Sequence, residues 1–113
     1  MNRIVSIIPP GNYISLGMER DRRYELVQPL ISAGRIQTFQ DIFYFVPKTV
    51  IARDLGMNNS RFTELIKNVN KFVLKDIFRL AELFQIDDRE LFRLIYEQYL
   101  RDKKNKKKKI KGE

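Results

Sequence analysis

The chain contains no cysteine, no histidine and no tryptophan. Without cysteine there is no disulfide and no thiolate nucleophile. Without histidine there is no zinc site of Cys/His type and no nucleophile–histidine or general-base histidine mechanism. Acidic residues remain for magnesium binding or acid–base work. Nowhere is there a run of about 18 apolar residues, so no membrane span is expected. The apolar stretch at residues 4–8 follows a single Arg3 and is broken by Pro9 and Pro10. It is too short for a signal peptide, and a cytoplasmic location is the expectation. No glycine-rich phosphate loop is present. These absences argue against an enzyme, and no cofactor, metal or small-molecule ligand is expected.

What is there suits one modest globular domain. The 113 residues are 43% hydrophobic and 32% charged, enough apolar material for a single core. Net charge is +8, unevenly spread. Residues 101–113 hold eight Lys or Arg against two acids, a net +6, and the preceding hundred hold fourteen against twelve, a net +2. The basicity is therefore mostly a tail, which weakens overall pI as an argument for nucleic acid.

Residues 1–18 read as an arm. Apolar runs at 4–8 and 13–16 flank Pro9-Pro10-Gly11-Asn12, and Pro10-Gly11 suits a type II turn. A hairpin and a loose arm are both open, because a lone two-stranded hairpin is only marginally stable.

From Glu19 the pattern is helical, and the predicted fold is all-α, a bundle of five or six helices over 19–101. The first helix covers 19–33, with Tyr24, Val27, Leu30 and Ile31 at three- and four-residue spacing. Pro29 sits within it as a kink or split, and Gly34 stops it. A second starts at Thr38, capped with Asp41 three residues on, and Pro47 ends it. The same proline opens a third over 48–55. A fourth covers 59–68, and a fifth covers 74–84 with Leu74, Ile77, Phe78, Ala81 and Phe84 on one side. The sixth starts at Asp87 and reaches about Leu100. The lysine-rich segment 102–113 repels itself and is expected to be disordered.

The stretch KTVIARDLGMNNSRFTELIK, Lys48 to Lys67, carries the functional argument. Two helices that cross steeply need a small residue at the contact, and Ala52 is that residue. The corner needs a residue that tolerates positive φ, and Gly56 supplies it. Ile51 and Leu55 on one side, Met57 at the turn, and Phe62, Leu65 and Ile66 on the other supply the apolar contact.

With these positions in order, residues 49–91 resemble the phage-repressor type of helix-turn-helix protein, the Cro/repressor or XRE family. The stretch LKDIFRLAELFQIDDREL, Leu74 to Leu91, is similar to that family's fourth helix and the turn into its fifth. The chain also looks like small regulators carried by bacterial mobile elements. Two places depart from the family. Residues 37–46 add an aromatic-rich segment before the reader unit, and Ile66-Lys67-Asn68 replaces the usual Glu-x-Gly. The resemblance implies a small transcriptional regulator that binds double-stranded DNA in a sequence-specific way.

Helix geometry assigns the contacts. If Phe62, Leu65, Ile66 and Val69 face inward, then Ser60, Glu64 and Lys67 face outward, with Arg61 and Thr63 beside them. Asn58 and Asn59 sit at the entry, where a recognition helix reaches base edges. Asn suits adenine, Arg guanine, Thr63 a thymine methyl and Glu64 cytosine N4. An ordinary amphipathic helix in a bundle also shows polar residues outside, and Asn58-Asn59 also suits a plain cap. Lys48, Lys71, Lys103, Lys104, Lys106, Lys107, Lys108 and Lys109 are the candidate phosphate contacts, which add affinity without specificity.

The sixth helix has two apolar stripes, Leu91, Ile95, Tyr99 and Phe92, Tyr96, Leu100. The second needs a cover, either the N-terminal arm or a second subunit in a homodimer. Asp87, Asp88 and Glu90 at the helix start are read as caps rather than a metal site. Phe39, Phe43, Tyr44 and Phe45 are read as core rather than base-stacking residues. Two other functions stay open, a protein–protein interaction module (adaptor or antitoxin) and an RNA-binding protein that uses the basic tail.

Overall fold

Pro29 decides how the first helical segment is built. The structure, a computed structural model, describes residues 21–111, with side chains as far as Lys106. Instead of one helix over 19–33, the chain makes a 3-10 helix, Arg22–Leu26, followed by α1, Val27–Ser32. Pro29 has no N–H to return to the carbonyl of Glu25, so the α-helical ladder starts afresh just before it. Asp21 caps this segment: its Oδ1 accepts the backbone N–H of Arg23 at 3.0 Å. Gly34, at φ +76°, ends it. The arm at residues 1–18 lies outside the described residues, as do Gly112 and Glu113.

The second expected helix is also not an α-helix. Phe39–Tyr44 winds as a 3-10 helix. Asp41 behaves as expected of a cap partner, its Oδ2 accepting the N–H groups of Gln37 at 2.8 Å and Thr38 at 3.0 Å. Pro47 bars helical geometry at Val46, which leaves room for barely two tight turns. Phe39 and Ile42, three apart, are buried together.

Four α-helices follow. They are α2, Lys48–Leu55; α3, Asn59–Lys67; α4, Leu74–Phe84; and α5, Asp88–Lys111, with a 3-10 turn, Val69–Lys71, between α3 and α4. No strand occurs among the described residues. The fold is an all-α bundle, and no described helix is long and apolar enough to cross a membrane.

Four phenylalanines close a ring of edge-on contacts at the back of α3. Phe39 meets Phe43 at 5.3 Å between ring centroids and Phe72 at 5.4 Å. Phe62 of α3 meets Phe43 at 6.0 Å and Phe72 at 6.5 Å. Edge-to-face pairing adds about 0.5–1.5 kcal/mol per pair beyond burial. The aromatic-rich segment is therefore the bed on which α3 lies. Tyr44 is the exception, since it is 82% exposed.

The last two helices are rotated relative to the sequence reading. On α4 the buried residues are Asp76, Ile77, Leu80, Ala81 and Phe84, while Leu74 and Phe78 are exposed. The helix packs on both α5 and the first 3-10 helix, where Tyr24 meets Phe84 at 5.9 Å, and this second neighbour turns its face toward Leu80. On α5 the buried row is Leu91, Leu94, Ile95 and Gln98. Tyr99 is not in it and joins Phe92, Tyr96 and Leu100 among the exposed residues. Nor does α5 end near Leu100, because its backbone is helical through Lys111. Lysine is a good helix former, and cations near a helix C-terminus are favoured by the macrodipole.

Candidate nucleic-acid interface

The corner between α2 and α3 is built from backbone geometry. Gly56 adopts φ 70°, ψ 31°, a left-handed conformation that L-residues with a side chain adopt at a cost. A Cβ placed there would meet nothing within 4 Å, so the demand for glycine is conformational, not spatial. The N–H of Met57 returns to the carbonyl of Ala52 at 2.9 Å, and that of Gly56 to Arg53 at 3.0 Å. Ala52 is buried with Ile51, Leu55, Phe62, Leu65 and Ile66, in the order the sequence predicts.

Two side chains brace this unit from outside, and sequence reasoning missed both of these bonds. The guanidinium of Arg79 on α4 donates to the carbonyl of Leu55, one of the orphan acceptors at the end of α2. The hydroxyl of Tyr24 donates to Asp54 Oδ2 at 2.5 Å. Burial, with that hydrogen bond second, pushes the Tyr24 phenol above its ordinary range. Asp54 also holds Arg53 at 3.0 Å. Neither pairing leaves a periodic signal, since the partners are 24 and 30 residues apart.

Asn58 is the N-cap of α3, its Oδ1 accepting the N–H of Arg61 at 3.0 Å. That bond fixes the side chain at the helix entry and leaves its amide NH2, with the second lone pair of the oxygen, for another partner. Beyond it, Phe62, Leu65 and Ile66 turn inward. Asn59, Ser60, Arg61, Glu64 and Lys67 are exposed and Thr63 is half-buried. Among the described residues, the side chains of Ser60, Thr63, Glu64 and Lys67 have no hydrogen-bond or ion-pair partner. Among the described residues, the polar face expected from spacing is therefore open, apart from half-buried Thr63, and its side chains are unpaired.

The candidate phosphate-contacting lysines fall into groups. Lys48 opens α2, and with Gln40, Phe43, Tyr44 and Ile66 it lines an open hollow. Lys67 and Lys106 line the neighbouring hollow with Gln40, Asp102 and Asn105. Gln40 is common to both, so α2, α3 and α5 each bring one lysine to the same flank. Lys103 lies instead over the ring of Tyr99, at 5.8 Å. Lys71 and Lys104 are exposed elsewhere. The side chains of Lys107, Lys108 and Lys109 lie outside the described residues.

Two of the three acids around the start of α5, Asp87 and Glu90, are engaged by nearby arginines. Asp87 accepts the N–H of Arg89 at 2.8 Å, and Glu90 pairs with Arg93 at 2.6 Å. The chain matches no protein-family model, no curated protein and no solved structure.

Proposed function

We propose that this protein binds double-stranded DNA in a sequence-specific way, with α3 entering the major groove, as a small transcriptional regulator of the phage-repressor type. One observation carries the reading. The inner row of α3 is held through Phe62 by a ring of phenylalanines, while the outer row, exposed Ser60, Glu64 and Lys67 and half-buried Thr63, has side chains without partners among the described residues. A rigid helix with a free polar face is what base readout requires, since each good base contact adds roughly 1–3 kcal/mol of discrimination. Asn59, Ser60, Thr63 and Glu64 are assigned to base edges, Arg61 to a base edge or the adjacent backbone, and Lys67 to the end of the contact. Asn58 acts mainly as the cap that aims this row.

A second reading, as a protein-interaction module, draws on the exposed Phe92, Tyr96, Tyr99 and Leu100 of α5. Selection of binding sites from random duplex DNA at two salt concentrations separates the two. The DNA reading expects one enriched sequence, and the triple variant Asn59→Ala, Ser60→Ala, Thr63→Ala should lose the enrichment while keeping the parent's thermal stability. If the parent enriches nothing and shifts no duplex at moderate salt, the DNA reading is wrong.

A further inference from the structure

The buried row of α5 ends on a polar residue. Gln98 is fully enclosed, with 0% exposure, where the helical phase of Leu91, Leu94 and Ile95 calls for an apolar side chain. Both ends of its amide are engaged. Its Oε1 accepts the backbone N–H of Gln40 at 3.0 Å, and its Nε2 donates to Asp102 Oδ1 at 2.9 Å. A buried amide satisfied at both ends specifies one rotation of the helix, because any other would leave a polar group unpaired in the core.

That rotation has a consequence two turns on. Asn105 and Lys106 follow Gln98 by seven and eight residues, and so lie on the same side of α5. There they meet Gln40 and Lys67 in a hollow of about 320 Å³. Its wall carries two lysines and one carboxylate, Asp102, one oxygen of which is already taken by Gln98. No ion pair within 4.0 Å joins Asp102 to either lysine. The hollow thus keeps net positive charge at the end of the polar face of α3, with Lys48 next to it across Gln40.

We propose that this hollow holds a backbone phosphate of the duplex, with Lys67 and Lys106 as its cationic walls. Gln98 is its positioning residue, which fixes the lysine-bearing end of α5 to Gln40 of the 3-10 helix Phe39–Tyr44, in the wall of the same hollow. The inference rests on the DNA reading above. It differs from a loose basic tail in one respect: the lysines are not equivalent. Lys106 faces the hollow, and Lys104, two residues earlier on the same helix, does not line it.

The experiment compares Lys106→Gln with Lys104→Gln in the full chain, each removing one exposed positive charge. Binding to the selected duplex is followed from low to high salt. The slope of log affinity against log salt should become shallower by about 0.9 for Lys106→Gln, the loss of one phosphate contact, and stay near the parent's for Lys104→Gln. In a Gln98→Leu background, whose folding is checked by thermal melting, the difference between the two should vanish. Equal slope changes at the two positions in the parent background would overturn the proposal while leaving the DNA reading intact. A parent that binds no duplex would remove both. Tighter binding to duplex RNA of the same sequence would also overturn the assignment.

Discussion

The guanidinium of Arg79 donates to the carbonyl of Leu55, joining α4 to the corner between α2 and α3. A helix end with unsatisfied carbonyls is thereby closed by a charged donor from 24 residues away. Arg79→Ala should cost about 1 kcal/mol of stability, since the carbonyl is only partly buried and water replaces some of the bond. Chemical denaturation of the two proteins checks this. A midpoint equal to the parent's would mean that the bond adds nothing in solution.

Gly56 makes a complementary test, because its surroundings are empty. Gly56→Ala introduces no collision, yet holds an alanine at φ 70°. The expected loss is roughly 1–2 kcal/mol, purely from the backbone. Gly56→Asn should lose less, since asparagine tolerates the left-handed region better. If alanine and asparagine are equally harmless, the corner has another low-energy geometry.

Two groups near α2 make the stability depend on pH at its two extremes. The phenol of Tyr24 is raised above its ordinary value by burial and then by its hydrogen bond to Asp54. Its contribution is therefore complete below pH about 10 and falls as pH rises beyond that, where the unfolded chain ionises first. Asp21 works in the opposite direction. Hydrogen bonds from the side chain and backbone of Arg23 lower it from 3.8 to about 2. Its contribution is present above the ordinary value and disappears as pH falls toward 2. Tyr24→Phe should flatten the alkaline limb of stability against pH, and Asp21→Asn the acid limb. Urea midpoints measured across pH would show an unchanged limb if either assignment is wrong.

Readers of two half-sites work as dimers, and α5 has a face that a second copy could cover. Phe92 and Tyr96 are 52% and 50% exposed on the side of the helix away from the core. If two copies pair there, Tyr96→Lys should shift sedimentation from dimer to monomer and leave the melting curve at low concentration unchanged. A parent that sediments as a monomer at tens of micromolar would exclude this face as a self-contact.

Much of this was readable from residue order, and the reasons differ by element. Ala52, Gly56 and the apolar positions around them act through local rules, helix period and backbone tolerance, so the corner of α2 and α3 was legible. The four-phenylalanine ring was half legible. Spacing marked Phe39 and Phe43 as buried, but nothing in it joined them to Phe62 and Phe72. Gln98 left a faint trace, a polar residue in an apolar phase, which is worth noticing in any amphipathic helix. Spacing marked Tyr24 as an inward residue, but its bond to Asp54 and that of Arg79 to Leu55 left no trace, because a long-range polar pair has no period.

Composition and spacing alone determined that the chain is helical, that it lacks thiol and imidazole chemistry, and which side of α3 is polar. These follow from interactions within a few residues. Tertiary packing decided the rest: which of two adjoining stripes on α4 and α5 is covered, and that Lys106 lines the hollow beside Gln40 while Lys103 lies over Tyr99. A helix carrying two apolar stripes has two nearly equivalent ways to lie down, and only its neighbours, here Tyr24 for α4 and Gln40 for α5, choose between them.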